Sequence, residues 1–151
     1  MAELKDRLRA DLTHAMKEKD TFTTGVLRMA IAAIGNEEVS GAAAHELTDA
    51  EVQSVIQKEV HKRRDSAEAY TQGNRPELAE KEEREAALLS TYLPAPLTEA
   101  ELDQIVTEEV NAVDGATIKQ MGIIIKAVNA RTQGRADGSI VAAKVRTALN
   151  S

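Results

Sequence analysis

The residues best suited to chemistry in this sequence are basic and lie towards its C-terminal end. Lys119 and Lys126 fall on one side of a helix, and Arg131 and Arg135 lead into the stretch Thr132-Gln133-Gly134-Arg135-Ala136-Asp137-Gly138, with Lys144 beyond it. Ammonium and guanidinium groups in such a row are candidate phosphate contacts, helped by unpaired N–H groups at the start of the helix after the turn. The charge distribution points the same way. Residues 1–114 carry 13 basic and 24 acidic side chains, a net of −11, whereas residues 115–151 carry 6 and 1, a net of +5. An acidic body with a basic tail suits either an anionic partner or a dipolar protein whose parts attract each other. Within the turn, backbone chemistry accounts for Gly134 as a left-handed helix end and for Asp137 and Gly138 as a helix start. Arg135 is left without such an account.

A second constellation lies in the acidic body. At 100° per residue from Val52, Arg63 falls about 20° away, on the apolar face shared by Ile56 and Tyr70. Glu59 shares that face one turn earlier, and Glu82 and Glu85 fall in the next helix's stripe of Leu78, Leu89 and Tyr92. In an antiparallel hairpin turning at Gly73-Asn74, Arg63 is level with Glu85. This predicts a desolvated Arg63 paired with Glu82 or Glu85, with Glu59 as a third member and a structural rather than catalytic role. The alternative is an arginine that snorkels out at the edge of the stripe.

Other chemistries find no support. Cysteine is absent, which excludes disulfides, thiolate metal sites and cysteine nucleophiles. His14, His45 and His61 lack metal-ligand spacing, no glycine-rich loop joins a strand to a helix, and no serine sits in a nucleophile elbow. No catalytic residue, metal or cofactor is therefore assigned. The run His61-Lys62-Arg63-Arg64 spreads around its helix and forms no single basic surface. One Phe, two Tyr and no Trp leave little for base stacking, so any nucleic-acid contact is expected to go through shape and backbone. The N-terminal residues have neither signal-peptide nor transit-peptide character, and no apolar run approaches a membrane span of about 20 residues. A soluble cytoplasmic protein with no membrane partner is expected.

The elements that must position these groups are helical throughout, because apolar residues recur at helical spacing and nowhere alternate cleanly. The first helix is predicted from about Ala2 to Lys19, with Leu4, Leu8, Leu12 and Met16 inward. Asp20 caps the second, which buries Phe22, Val26, Met29, Ala30 and Ala33 and ends near Glu38. Thr48 and Glu51 form a capping box for a third helix reaching about Thr71, and Pro76 opens a fourth that runs up to Leu93-Pro94. Pro94-Ala95-Pro96 is the best candidate boundary. Beyond it, Thr98 and Glu101 cap a fifth helix closed by Gly115, and a sixth places Ile118, Met121, Ile125 and Val128 inward. Ile123 and Ile124 lie off that stripe and need further cover. The seventh buries Val141, Val145, Ala148 and Leu149. The expected fold is all-α, with an N-terminal domain of about four helices over residues 1–93 and a small three-helix C-terminal domain over residues 97–151.

Several short stretches together carry a family resemblance: Leu27-Arg28-Met29, Lys58-Glu59-Val60 with Arg63-Arg64-Asp65-Ser66, Tyr92-Leu93-Pro94, Met121-Gly122 and Gly134-Arg135-Ala136-Asp137-Gly138. Their order and spacing resemble the YqeY-like proteins of the GatB/YqeY group over essentially the whole chain. That resemblance implies likeness to the tail of the B subunit of the glutamine-dependent Asp-tRNA/Glu-tRNA amidotransferase, which contacts tRNA while other domains perform the chemistry. It also implies a description as carbon–nitrogen ligase with glutamine as amido-N-donor. That chemistry needs an activated nucleophile and a phosphate and metal site, neither recognisable here. The expected function is a tRNA-associated accessory protein, with an amidotransferase or synthetase as possible protein partner. The alternative is a protein–protein module docking through its C-terminal helices without nucleic acid.

Overall fold

The computed structural model describes residues 3–150, and Ala2 lies outside them. Seven α-helices form among these residues: α1 (Glu3–Lys17), α2 (Thr21–Glu38), α3 (Asp49–Gln72), α4 (Pro76–Ser90), α5 (Glu99–Asn111), α6 (Met121–Thr132) and α7 (Gly138–Asn150). A 3₁₀ turn, Ile118–Gln120, leads into α6. The described residues contain no strand.

Local signals set most helix ends. The Asp20 carboxylate accepts from Thr23 N at 3.0 Å, and the Thr48/Glu51 and Thr98/Glu101 capping boxes are both closed. At the hairpin between α3 and α4 the left-handed residue is Asn74, at φ 60°, rather than Gly73. Helix α4 stops at Ser90, short of the expected Leu93. Thr91 Oγ1 there donates to Leu88 O at 2.7 Å, while Tyr92 N and Leu93 N make tight i to i−3 bonds that end the helix. Gly134 is left-handed as expected, at φ 79°, with Gln133 also left-handed just before it.

The chain divides into two compact units, Met1–Leu93 and Pro94–Ser151. In the first, α1 to α4 surround Leu8, Leu27, Ile34, Val52, Ile56 and Leu89, all fully buried. Two methionines expected inward are instead half-exposed, Met16 at 50% and Met29 at 46%. A stripe read at steps of four drifts by about 40° per step, so by Met16 the α1 row has rotated away from the core and Ala15 is buried in its place. In the second unit, α5 to α7 enclose Ile124, Val128, Val141 and Val145. Here Ile118 is exposed, against the expected stripe, and of the two isoleucines expected to need further cover Ile124 is buried while Ile123 stays 69% exposed. The 3₁₀ turn before Met121 winds at about 3.0 residues per turn, which shifts Ile118 out of phase with α6.

Candidate functional site

Each basic residue of the C-terminal unit has its own environment, and α5 determines most of them. Thr98 and Thr48 caps start their helices with acidic first turns; in α5 the acids Glu99 and Asp103 sit one turn apart and reach Lys144 of α7. Lys144 Nζ lies 2.6 Å from Asp103 Oδ1 and 3.3 Å from Glu99 Oε1. The hydrogen bond to Asp103, more than that to Glu99, holds the Lys144 ammonium above its ordinary pKa. At the far end of α5, Arg131 Nη1 lies 2.9 Å from Glu108 Oε2 and 3.3 Å from Glu109 Oε1. Glu108 is held below its ordinary value, first by Gln104 and then by Arg131.

Arg135 is accounted for by the chain entering α5. Its Nε donates to Ala95 O at 2.8 Å, and its own carbonyl accepts from Leu97 N at 2.9 Å. It thus fastens the Ala95–Leu97 segment against the turn. Asp137 completes that turn, its Oδ1 accepting from Ser139 N at 2.8 Å and from Ser139 Oγ at 2.6 Å at the start of α7.

Of the five candidates Lys119 and Lys126 remain, both exposed and both outside these ion pairs. Ile123 stands beside Lys126 on α6, three residues away, and is 69% exposed; Ile118, in the 3₁₀ turn before α6, is 50% exposed. Arg131, Arg135 and Lys144 thus have protein partners within their unit, while Lys119 and Lys126 stand outside these contacts. The +5 tail folds onto the acidic α5, and residues 94–151 carry 6 basic against 7 acidic side chains.

In the N-terminal unit a different group converges. Arg63 is buried, with Nε 3.2 Å from Glu85 Oε2 and Nη1 3.2 Å from both Glu59 Oε2 and Glu59 O. A cleft of about 370 Å³ opens beside it between α2, α3 and α4, lined by Met29, Asn36, Lys62, Ser66 and Glu82 together with this triad. Glu82 contributes to the wall, while the ion pairs of Arg63 go to Glu85 and Glu59. The sequence contained the α3 and α4 members of this site. The contribution of α2 was missed, because Met29 reads as a core residue until the phase of α2 is known. Among the described residues no group of three acidic or histidine side chains is arranged to hold a metal ion.

Near the end of the same unit, the Tyr92 hydroxyl donates to Asp11 Oδ2 at 2.5 Å, and the Arg7 guanidinium lies 4.6 Å above the Tyr92 ring. Burial, followed by the Asp11 carboxylate, pushes the Tyr92 phenol above its ordinary value of 10.0. The fold thus favours the protonated phenol, so this stabilisation is complete below pH 10 and is lost as pH rises through the folded-state value. Tyr92→Phe is expected to cost about 1 to 2 kcal/mol at neutral pH and to flatten the loss of stability above pH 10. Urea unfolding of both proteins across that range measures this.

Comparison with known proteins places the chain. The family described as Yqey-like protein matches residues 5–149. The chain belongs to the YqeY-like family. Its relatives include "Altered inheritance of mitochondria protein 41, mitochondrial" of Clavispora lusitaniae, 31% identical over 128 residues, 78% of this chain and 74% of that one. The same-named protein of Pyrenophora tritici-repentis is 28% identical over 149 residues, 96% of this chain and 80% of that one. That of Vanderwaltozyma polyspora is 34% identical over 86 residues, 57% of this chain and 46% of that one. These names correct the expected cytoplasmic location, since each relative is named a mitochondrial protein. The physical reason is that a cysteine-free composition indicates a reducing environment without choosing among compartments that provide one. No helix of the described residues is long and apolar enough to cross a membrane.

Proposed function

We propose that this YqeY-like chain is an accessory docking module whose contact surface is the outward face of α6. The observation that carries this reading is Ile123, 69% exposed beside Lys126, with the exposed Lys119 four residues before it. An apolar centre with basic flanks is complementary to an acidic protein surface that itself has an apolar centre. The amidotransferase or an aminoacyl-tRNA synthetase is the class of partner that the family resemblance suggests. Ile123→Asp leaves the core untouched and is expected to weaken binding to such a partner by about thirtyfold, the effect of losing a 2 kcal/mol anchor. Titration of the labelled protein with the purified amidotransferase and with the aspartyl and glutamyl synthetases tests this. Binding equal to wild type in the variant would overturn it.

The tRNA reading is supported by Lys119 and Lys126, which are exposed and stand outside the ion pairs. It narrows from five basic residues to these two, because Arg131, Arg135 and Lys144 are engaged within their own unit. Release of ammonia from glutamine by the purified chain would replace both readings with a catalytic one. The same proposal treats residues 1–93 and 97–151 as separately folding domains. Residues 97–151 expressed alone are expected to unfold cooperatively, as followed by circular dichroism, and a non-cooperative melt would contradict this.

A further inference from the structure

Two thioethers of the N-terminal unit rest against guanidinium groups. Met29 Sδ lies 3.7 Å from Arg63 Nη2, and Met16 Sδ lies 3.8 Å from Arg28 Nη2. Both methionines are about half exposed, and Met29 lines the open cleft beside Arg63. The two arrangements differ in their anchors. Arg28 is exposed, whereas Arg63 is buried and already fixed through Nε to Glu85 and through Nη1 to Glu59. Its Nη2 is left facing a thioether, a weak acceptor, at the wall of the cleft between α2, α3 and α4. In a chain without cysteine, methionine is the side chain that can undergo sulfur oxidation.

We propose that Met29 is a reversible oxidation site whose sulfoxide is captured by Arg63. The oxidant is a hydroperoxide. A sulfur lone pair attacks one peroxide oxygen, the O–O bond breaks, and the other oxygen leaves with the protons as water when the oxidant is hydrogen peroxide. Sulfur is oxidised by two electrons and the peroxide is reduced by two. The thioether thus gains an S=O oxygen with a large partial negative charge. That oxygen is a strong acceptor, and facing a fixed guanidinium it forms a charge-assisted hydrogen bond.

Methionine has three rotatable side-chain bonds, so the oxygen can turn towards Nη2 without displacing α2. Oxidation of a methionine packed in a core disrupts it, because a polar group replaces an apolar one. Met29 is at the cleft wall rather than in the core, so here the new polar atom meets a donor. The result is an added tie between α2 and α3, removable by methionine sulfoxide reductase.

The test uses the full chain with ¹³C-methyl methionine and ¹⁵N arginine, titrated with hydrogen peroxide and followed by NMR. The Met29 methyl signal is expected to move to the sulfoxide position before that of Met121, which packs against the C-terminal core. As it does, the Arg63 η protons should shift downfield and exchange with water on the order of tenfold more slowly. In Met29→Leu, peroxide should leave the Arg63 signals unchanged. Conversion of Met29 with no change at Arg63 would overturn the proposal. So would conversion of Met121 ahead of Met29, or an Arg63 response that persists in Met29→Leu.

Discussion

Arg63→Ala is expected to destabilise the N-terminal unit by about 3 to 5 kcal/mol, because it leaves two carboxylates in a site built around one cation. Arg63 is 6% exposed and Glu85 is 7% exposed, so water cannot replace the lost partner without entering the cleft wall. Glu59 is less severely affected, since it lies nearer the surface. The corresponding apolar exchange, Arg63→Met with Glu85→Leu and Glu59→Leu, removes the charge and both counter-charges. It is expected to be neutral or stabilising by about 1 to 4 kcal/mol. Urea unfolding of the single and triple variants measures both effects. A cost below about 1 kcal/mol for Arg63→Ala would mean that the pair behaves as a solvated surface bridge.

The second large effect separates two adjacent isoleucines. Ile124 is 1% exposed and packs with Val128, Val141 and Val145, so Ile124→Ala is expected to cost about 2 to 5 kcal/mol through lost burial and the cavity left behind. Ile123→Ala, at a position 69% exposed, is expected to change stability by no more than about 0.5 kcal/mol. The contrast fixes the rotation of α6 about its axis, and with it the face offered to a partner. Equal costs for the two substitutions would mean that Ile123 is covered and unavailable for docking. Thermal and urea melts of the two variants decide between these results.

Local chemistry made much of the helical order legible. Asp20, Thr48 and Thr98 are caps whose partners lie three residues ahead, so their bonds follow from sequence spacing. The level of Arg63 with Glu85 also follows from counting outwards from the hairpin, and the two side chains meet at that register. What was not legible depends on phase and on distant contacts. The three-residue 3₁₀ turn at Ile118–Gln120 takes Ile118 off the stripe of α6, and nothing in the periodicity beyond it signals that shift. The engagement of Arg135 with Ala95 O spans 40 residues, and that of Lys144 with Asp103 spans 41. Dividing the chain at residue 114 gave a basic tail; the fold instead groups that tail with the acidic α5. The partners of Arg131, Arg135 and Lys144 were out of reach of sequence reading for this reason, while the helix assignments around them largely were not.

The salt dependence of binding to bulk tRNA, measured by fluorescence anisotropy from low to moderate salt, tests most directly whether the basic tail is spent internally. With Lys119 and Lys126 as the cations of α6 and its entry turn that stand outside the ion pairs, the account predicts weak binding or none, and a shallow slope corresponding to about two phosphate contacts at roughly 0.7 to 0.9 each. Arg131→Gln and Lys144→Gln should leave that slope unchanged. Tight binding with a slope for about five contacts, lost when Arg131 and Lys144 are neutralised, would contradict the account and return the whole basic tail to the nucleic-acid surface.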